Sequence, residues 1–191
     1  MGMNMDQRRG RFIGRLIAEG TVAIVGMGLL QAMPVDAYEP VAPWQLAQGT
    51  LYSSSAGRFA VAFPSMPEVT AEDDDIEGDP VTIHSFEAFT TTSQYMVAYA
   101  DLPASFLSQE VGVVLDELRD YSLDDIGIEA LMASEVDVRL SNNPGRRYRY
   151  SDDDGTIDIR LYLVDERAYL LVAVDHNETR VDRFVSSFAL R

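Results

Sequence analysis

The sequence contains no cysteine and no lysine. Without cysteine there is no disulfide, no thiolate metal site, no cysteine nucleophile and no lipid-anchored cysteine of the bacterial lipoprotein type. Without lysine, Schiff-base catalysis and the lysine of a phosphate-binding loop are excluded. All 15 basic residues are therefore arginines, against 31 acidic residues, and the formal net charge is −16. A chain this acidic repels nucleic acid and anionic lipid surfaces, so we expect neither as a partner.

A long hydrophobic run is also missing. The apolar segment 21–30 is shorter than the ~20 residues that span a bilayer. It follows a group of arginines and precedes Val35-Asp36-Ala37, which places small residues where a signal peptidase needs them. This pattern predicts a cleavable signal peptide over residues 1–37 and export to a periplasm or a thylakoid lumen. Cleavage after Ala32 and retention of the segment as an anchor are the alternatives.

Motifs of the common enzyme classes are absent from the sequence. There is no G-x-S-x-G nucleophile elbow and no G-x-G-x-x-G dinucleotide loop, and the chain has two histidines, His84 and His176. An EF-hand alignment on the run DDDG places Tyr150 and Leu161 where acidic ligands are required. We therefore expect no catalytic residue, no cofactor and no metal site, and we classify the protein as a non-enzyme.

One alternative function is a periplasmic binding module for a metal ion or a small polar ligand. Asp175, His176 and Glu178 supply the side-chain types that ligate divalent ions. The same three residues also precede the last predicted helix, where acidic side chains favour a helix N-terminus. The sequence leaves both interpretations open.

Hydrophobic residues make up 47% of the chain, which is enough for one folded domain. We expect residues 38–55 to form an extended lead-in containing Trp44, and residues 56–191 to form the domain. Alternating and helical hydrophobic patterns predict the following order of segments. It comprises a short strand at 51–54, a strand at 58–63, an exposed acidic loop at 68–80, a hairpin of 81–89 and 94–101, a helix from 103 to about 125, strands at 135–140, 146–150, 157–163 and 169–174, and a last helix capped by Asn177 or Thr179.

This order resembles the PsbP-like proteins, named for the extrinsic subunit of photosystem II, and uncharacterised exported bacterial domains of the same fold. The similar features are a GRFAVAFP strand, an aromatic strand that runs into DLP and a helix, an arginine-and-tyrosine hairpin, and a closing helix that ends in SSFAL. The resemblance covers residues 56–190. It implies an α+β fold, an α/β/α sandwich with a central, mainly antiparallel sheet. It also implies a non-catalytic accessory or assembly protein that binds a protein partner in a photosynthetic or other membrane complex.

The one basic concentration in this acidic sequence lies on neighbouring predicted strands. A guanidinium group offers a planar fork that binds carboxylate or phosphate, so the concentration predicts a docking face for an acidic protein partner. Cross-strand pairing with acids such as Asp158 and Glu135 is the alternative. The candidate docking residues are Arg139, Arg146, Arg147, Arg149 and Arg160.

Overall fold

The structure is a computed structural model that describes residues 49–76, 78–123 and 128–191. The predicted signal peptide and the lead-in up to residue 48, with Trp44, lie outside the described residues. The strands are β1 (Thr50–Ser54), β2 (Phe59–Phe63), β3 (Glu68–Ile76), β4 (Asp79–Phe89), β5 (Gln94–Asp101), β6 (Val136–Leu140), β7 (Asn143–Asp152), β8 (Gly155–Val164), β9 (Arg167–Asp175) and β10 (Ala189–Leu190). The helices are α1 (Ala104–Leu107), α2 (Val111–Leu123), α3 (Glu129–Met132) and α4 (Glu178–Ser187).

The strands form a large and a small antiparallel sheet. The large sheet has the order β3-β4-β5-β9-β8-β7-β6, and the small sheet has the order β1-β2-β10. Strand β9 lies in the middle of the large sheet. Its Leu170 and Val172 pack towards α1, α2 and α3, while Leu171 and Ala173 pack towards α4 and the small sheet. The strand predicted at 169–174 is therefore the central strand of the large sheet and packs on both faces.

Helix α4 and the small sheet share the second outer layer. Asn177, one of the two caps that the sequence predicts for the last helix, caps α4 by accepting a hydrogen bond from the Arg180 N–H. The ring of Phe184 packs at 5.2 Å from Phe63 of the small sheet and at 5.1 Å from Tyr95 of the large sheet. The predicted α+β architecture, an α/β/α sandwich around a mainly antiparallel sheet, is therefore confirmed, with the small sheet beside the outer helix. No helix among the described residues has the length and apolar character required to cross a membrane.

Residues 68–76 form strand β3, so the predicted acidic loop over 68–80 is wrong. Each residue of β3 is in register with β4, from Glu68 opposite Glu87 to Ile76 opposite Asp79. The acidic composition misled the prediction because β3 is an edge strand, whose charged side chains can remain in water.

The single predicted helix from residue 103 is two helices. Helix α1 ends at Leu107, where the Ser108 hydroxyl donates to the Ser105 carbonyl oxygen at 2.7 Å, and α2 begins at Val111. The break places Val111, the first residue of α2, at the surface. The buried residues of α2 are Val114, Leu115, Leu118 and Leu123.

The turn between β6 and β7 is shorter than the gap between the strands predicted at 135–140 and 146–150. It consists of Ser141 and Asn142, whose φ angles of 49° and 79° are typical of a type I′ hairpin. Pro144 and Gly145 belong to β7. Gly145 is needed for close packing of β7 on β8, because a Cβ atom there would clash with the Leu161 carbonyl oxygen.

Candidate functional site

The five candidate docking arginines divide into two groups on opposite faces of the large sheet. Successive residues of a strand point to opposite faces. Arg147 and Arg149 of β7 therefore face α4, together with Arg160, which is in register with Arg147. Arg146 and Arg139 face α2. The structure thus does not bring the five side chains together on one surface.

The arginines that face α4 surround Asp158 of β8, whose side chain is fully buried. Arg147, Arg149 and Arg160 each approach an Asp158 carboxylate oxygen at 2.9 Å. This is the cross-strand pairing that the sequence offered as the alternative to docking. The three guanidinium groups are largely occupied by contacts inside the domain.

Arg149 also connects the sheet to α4. Its guanidinium lies 2.6 Å from Glu178 and 2.7 Å from Asp182, both on that helix. Burial disfavours the charge on Arg149, but the hydrogen bonds to Asp182, Glu178 and Asp158 outweigh burial and raise the pKa of its guanidinium. Arg149 therefore has a structural role in this arrangement.

Arg146 performs a similar role on the opposite face. It lies 3.6 Å from Asp116 of α2 and 3.2 Å from Glu135, and it also pairs with Asp137 of β6. Glu135 accepts a hydrogen bond of 2.6 Å from the buried Tyr148 hydroxyl. Burial, followed by this bond, raises the pKa of Tyr148. Arg146 thus links α2 to the β6–β7 hairpin through ion pairs.

Arg139 differs from the other four candidates because it makes no ion pair within the described residues. Its side chain is at the surface, and Nη1 donates to the Asn142 carbonyl oxygen at 2.9 Å. It lines a groove of about 340 Å³ between the N-terminus of α2 and the β6–β7 hairpin, hereafter the α2–hairpin groove. This volume is within the range of ~300–1,000 Å³ that is typical of binding pockets. The groove is lined by Val111, Gly112, Leu115, Asp137, Val138, Arg139, Pro144, Gly145 and Arg146.

The candidate metal ligands at the start of α4 are engaged in other contacts. Asp175 is buried; its carboxylate accepts hydrogen bonds from the Tyr95 hydroxyl and from the Asn177 N–H. Burial, followed by the bond to Asp175, raises the pKa of Tyr95. Glu178 pairs with Arg149, and His176 is exposed. Among the described residues, no group of three His, Asp or Glu side chains is arranged to hold a metal ion.

The structure also contains an ion pair between β9 and β5 that could not be predicted from the sequence. Arg167, which lies between two predicted strands, is a buried residue of β9 and contacts both carboxylate oxygens of the exposed Asp101, at 2.6 and 2.8 Å. Its guanidinium lies 4.4 Å from the centre of the Tyr99 ring and donates to the Ala56 carbonyl oxygen at 2.7 Å. The ring of His84 stacks on the ring of Tyr99, with 4.7 Å between the ring centres. These contacts join β5 and β9 to the β1–β2 turn.

No family model and no curated protein matches the chain. The structure is similar to the solution structure of cyanobacterial PsbP (CyanoP) from Synechocystis sp. PCC 6803, with a TM-score of 0.44 and 11% identity, covering 83% of this chain and 100% of that chain. It is also similar to a crystal structure from Bacteroides thetaiotaomicron VPI-5482, with a TM-score of 0.37 and 13% identity, covering 75% of this chain and 49% of that chain. Similarity at this level assigns no function to any residue of this chain.

Proposed function

We propose that the protein is an exported, non-catalytic accessory protein that binds a subunit of a membrane-associated complex through the α2–hairpin groove. The sequence resemblance to PsbP-like proteins supports the class of function, and the N-terminal pattern supports export. The observation that carries the proposal is the position of Arg139. It is the one candidate docking arginine without an ion pair among the described residues, and it lines a groove large enough to hold side chains of a partner.

The chemistry of the groove favours a partner segment that combines a carboxylate with apolar side chains. Arg139 offers several N–H donors and a positive charge. The N-terminus of α2 contributes unpaired backbone N–H groups and the positive end of the helix dipole, and its first turn carries no acidic side chain. Val111 and Pro144 provide apolar contact surface. Asp137, which also lines the groove, pairs with Arg146.

Co-purification from native membranes tests the proposal. We expect a tagged wild-type protein to retain one defined membrane-complex subunit, and Arg139→Glu to reduce that recovery about tenfold or more, the effect of ~1.4 kcal/mol of binding free energy. Arg191→Glu is the matched control, because it makes the same charge change at an exposed residue next to the small sheet. This control should retain the subunit.

Recovery of the wild-type protein without any partner would contradict the proposal. If that protein were also stabilised against heat by a divalent ion or a small polar ligand, the alternative of a periplasmic binding module would be favoured. Equal loss of the subunit in Arg139→Glu and Arg191→Glu would show that overall charge, and not the groove, determines binding.

A further inference from the structure

Strand β3 is a long open edge of the large sheet. It pairs with β4 on one side, and no described strand pairs with its other side. Its nine residues are in continuous register with β4, without a bulge, and its sequence EVTAEDDDI contains no proline. Open edges are usually protected by short length, charged side chains, proline or bulges, because their unpaired N–H and C=O groups accept an additional strand. Of these devices β3 has only charged side chains, and all of its charges are negative.

The side chains along this edge are mainly acidic and lack positive partners. No acidic residue of β3 forms an ion pair within the described part of the chain. Asp73 accepts a hydrogen bond from the Thr82 hydroxyl at 2.8 Å, and Asp74 accepts one from the Tyr121 hydroxyl at 2.6 Å. The acidic residues of the edge are Glu68, Glu72, Asp73, Asp74 and Asp75. The edge thus has a high negative charge that the described residues do not neutralise.

A third glutamate lies beside this edge, on the face of the sheet that carries α2. Glu87 of β4 is in register with Glu68 and partly buried. Burial is the main cause that raises the pKa of Glu87, and the charges of Glu68 and Glu72 raise it further. A positive group placed near Glu68, Glu72 and Glu87 would therefore be favoured.

Two buried polar side chains on the same face have unused hydrogen-bonding atoms. Ser85 is 3% exposed and in register with Thr70 of β3, and its Oγ has no partner among the described residues. Gln94 is 9% exposed and in register with Phe89 of β4, and its Nε2 has no partner there either. Buried polar atoms usually have partners. Both atoms are inaccessible in this structure, so the features that favour a ligand at the edge are the unpaired strand and its charge.

The occupant of the edge cannot be a second copy of β3. Pairing of two β3 strands would place carboxylates opposite carboxylates, which is destabilising. The same charges favour a strand with basic side chains, so they select for one class of partner and against self-association.

We propose that the open edge of β3 binds an extended basic segment of a partner protein by strand addition. The main chain of the segment hydrogen-bonds to β3, and its arginine or lysine side chains at alternate positions pair with Glu68 and Glu72. A long basic side chain opposite Thr70 lies on the same face of the sheet as Glu87, two strand spacings of ~4.8 Å away, and its charge is attracted to the Glu87 carboxylate. This edge lies at the opposite side of the sheet from β6 and the α2–hairpin groove. The proposal therefore does not depend on the proposed function.

Fluorescence anisotropy with a labelled peptide tests the charge and strand requirements together. The probe is a short peptide that alternates arginine with valine. Its control alternates arginine with proline, which keeps the charge, removes every second backbone donor and favours a polyproline conformation over a β-strand. We expect the purified protein to bind the valine peptide about tenfold more tightly than the proline peptide.

Two matched protein variants separate the edge from the general acidity of the chain. Glu68→Gln with Glu72→Gln should weaken binding of the valine peptide about tenfold. Asp153→Asn with Asp154→Asn removes the same charge at the β7–β8 turn and should leave the affinity unchanged. Arg139→Glu should also leave the affinity for the valine peptide unchanged. A failure of the proposed binding at the α2–hairpin groove can therefore be distinguished from a failure of the proposed binding at the β3 edge.

Amide hydrogen exchange locates the bound peptide. We expect added protection in residues 68–76 when the valine peptide binds, because outward-facing N–H groups of β3 gain acceptors. Equal affinity for the two peptides, equal effects of the two double variants, or protection confined to other segments would each overturn the proposal.

Discussion

The fully buried carboxylate of Asp158 accepts a hydrogen bond of 2.9 Å from Arg149 of the neighbouring strand. Arg149 extends from there to Asp182 of α4 at 2.7 Å. A charge in the sheet is thereby connected to the outer helix through one guanidinium. This relationship explains how part of the basic concentration in the sequence stabilises the domain.

Replacement of Asp158 by asparagine should destabilise the domain strongly. The substitution leaves three partly buried arginines without their common anion, and breaking such a buried arrangement costs about 3 kcal/mol. Asp153→Asn at the exposed β7–β8 turn is the control and should change the free energy of unfolding by less than about 0.5 kcal/mol. Chemical denaturation measures both values, and equal stability of the two variants would refute the structural role of Asp158.

The Asp101–Arg167 ion pair should contribute to stability only above acidic pH. The hydrogen bond from Arg167 is the main cause that holds the pKa of Asp101 below its ordinary value. The folded pKa is thus lower than the unfolded value of about 3.9, so the contribution is present above that value and is lost as the pH falls through the folded pKa. Asp101→Asn should reduce the free energy of unfolding at neutral pH, and its difference from wild type should narrow in acid. A difference that does not vary with pH would contradict this assignment.

Glu87 should have the opposite pH dependence. Burial, and then Glu68 and Glu72, raise its pKa in the folded protein. The contribution of Glu87 to stability is therefore fully present below the unfolded pKa of about 4.3 and is lost as the pH rises through the folded pKa. Glu87→Gln should raise Tm at neutral pH, and this advantage should disappear in acid. A lower Tm for Glu87→Gln at neutral pH would show that the carboxylate is already compensated.

Strands and helices whose burial follows their hydrophobic pattern could be predicted from the sequence. The sequence predicts the last helix and the strand at 169–174; in the structure Val181, Phe184 and Val185 of α4 are buried, and β9 packs on both faces. These patterns are direct consequences of one-sided and two-sided burial. Strand β3 could not be recognised, because an acidic segment suits a solvated loop and an exposed edge equally well.

The contacts of individual charged residues could not be predicted. Arg167 is buried because Asp101, which is 66 residues away in sequence, lies opposite it on the neighbouring strand. The division of the candidate arginines between two faces depends on the register of β6, β7 and β8. The register of β6 and β7 follows from a two-residue turn, whereas the predicted strands left a longer gap. Arg139 was among the predicted docking residues, but its different environment became visible only in three dimensions.

The N-terminal pattern predicts a defined mature protein. We expect the protein isolated from its host to begin at Tyr38, because cleavage after Ala37 follows the small residues of the predicted cut site. Mass spectrometry of the intact protein measures this start. A start at Met33 would support the alternative cut after Ala32, and an intact N-terminus would support a retained anchor.

Site-specific photo-crosslinking from the α2–hairpin groove tests the central claim most directly. A photoreactive amino acid in place of Val111 lies at the groove, and the same group in place of Leu51 lies at an exposed position of the small sheet. We predict that position 111 forms a covalent adduct with one subunit of a membrane complex in the native host, that Arg139→Glu abolishes this adduct, and that position 51 does not form it. A folded protein that gives no adduct from position 111, or the same adducts from both positions, would contradict the account.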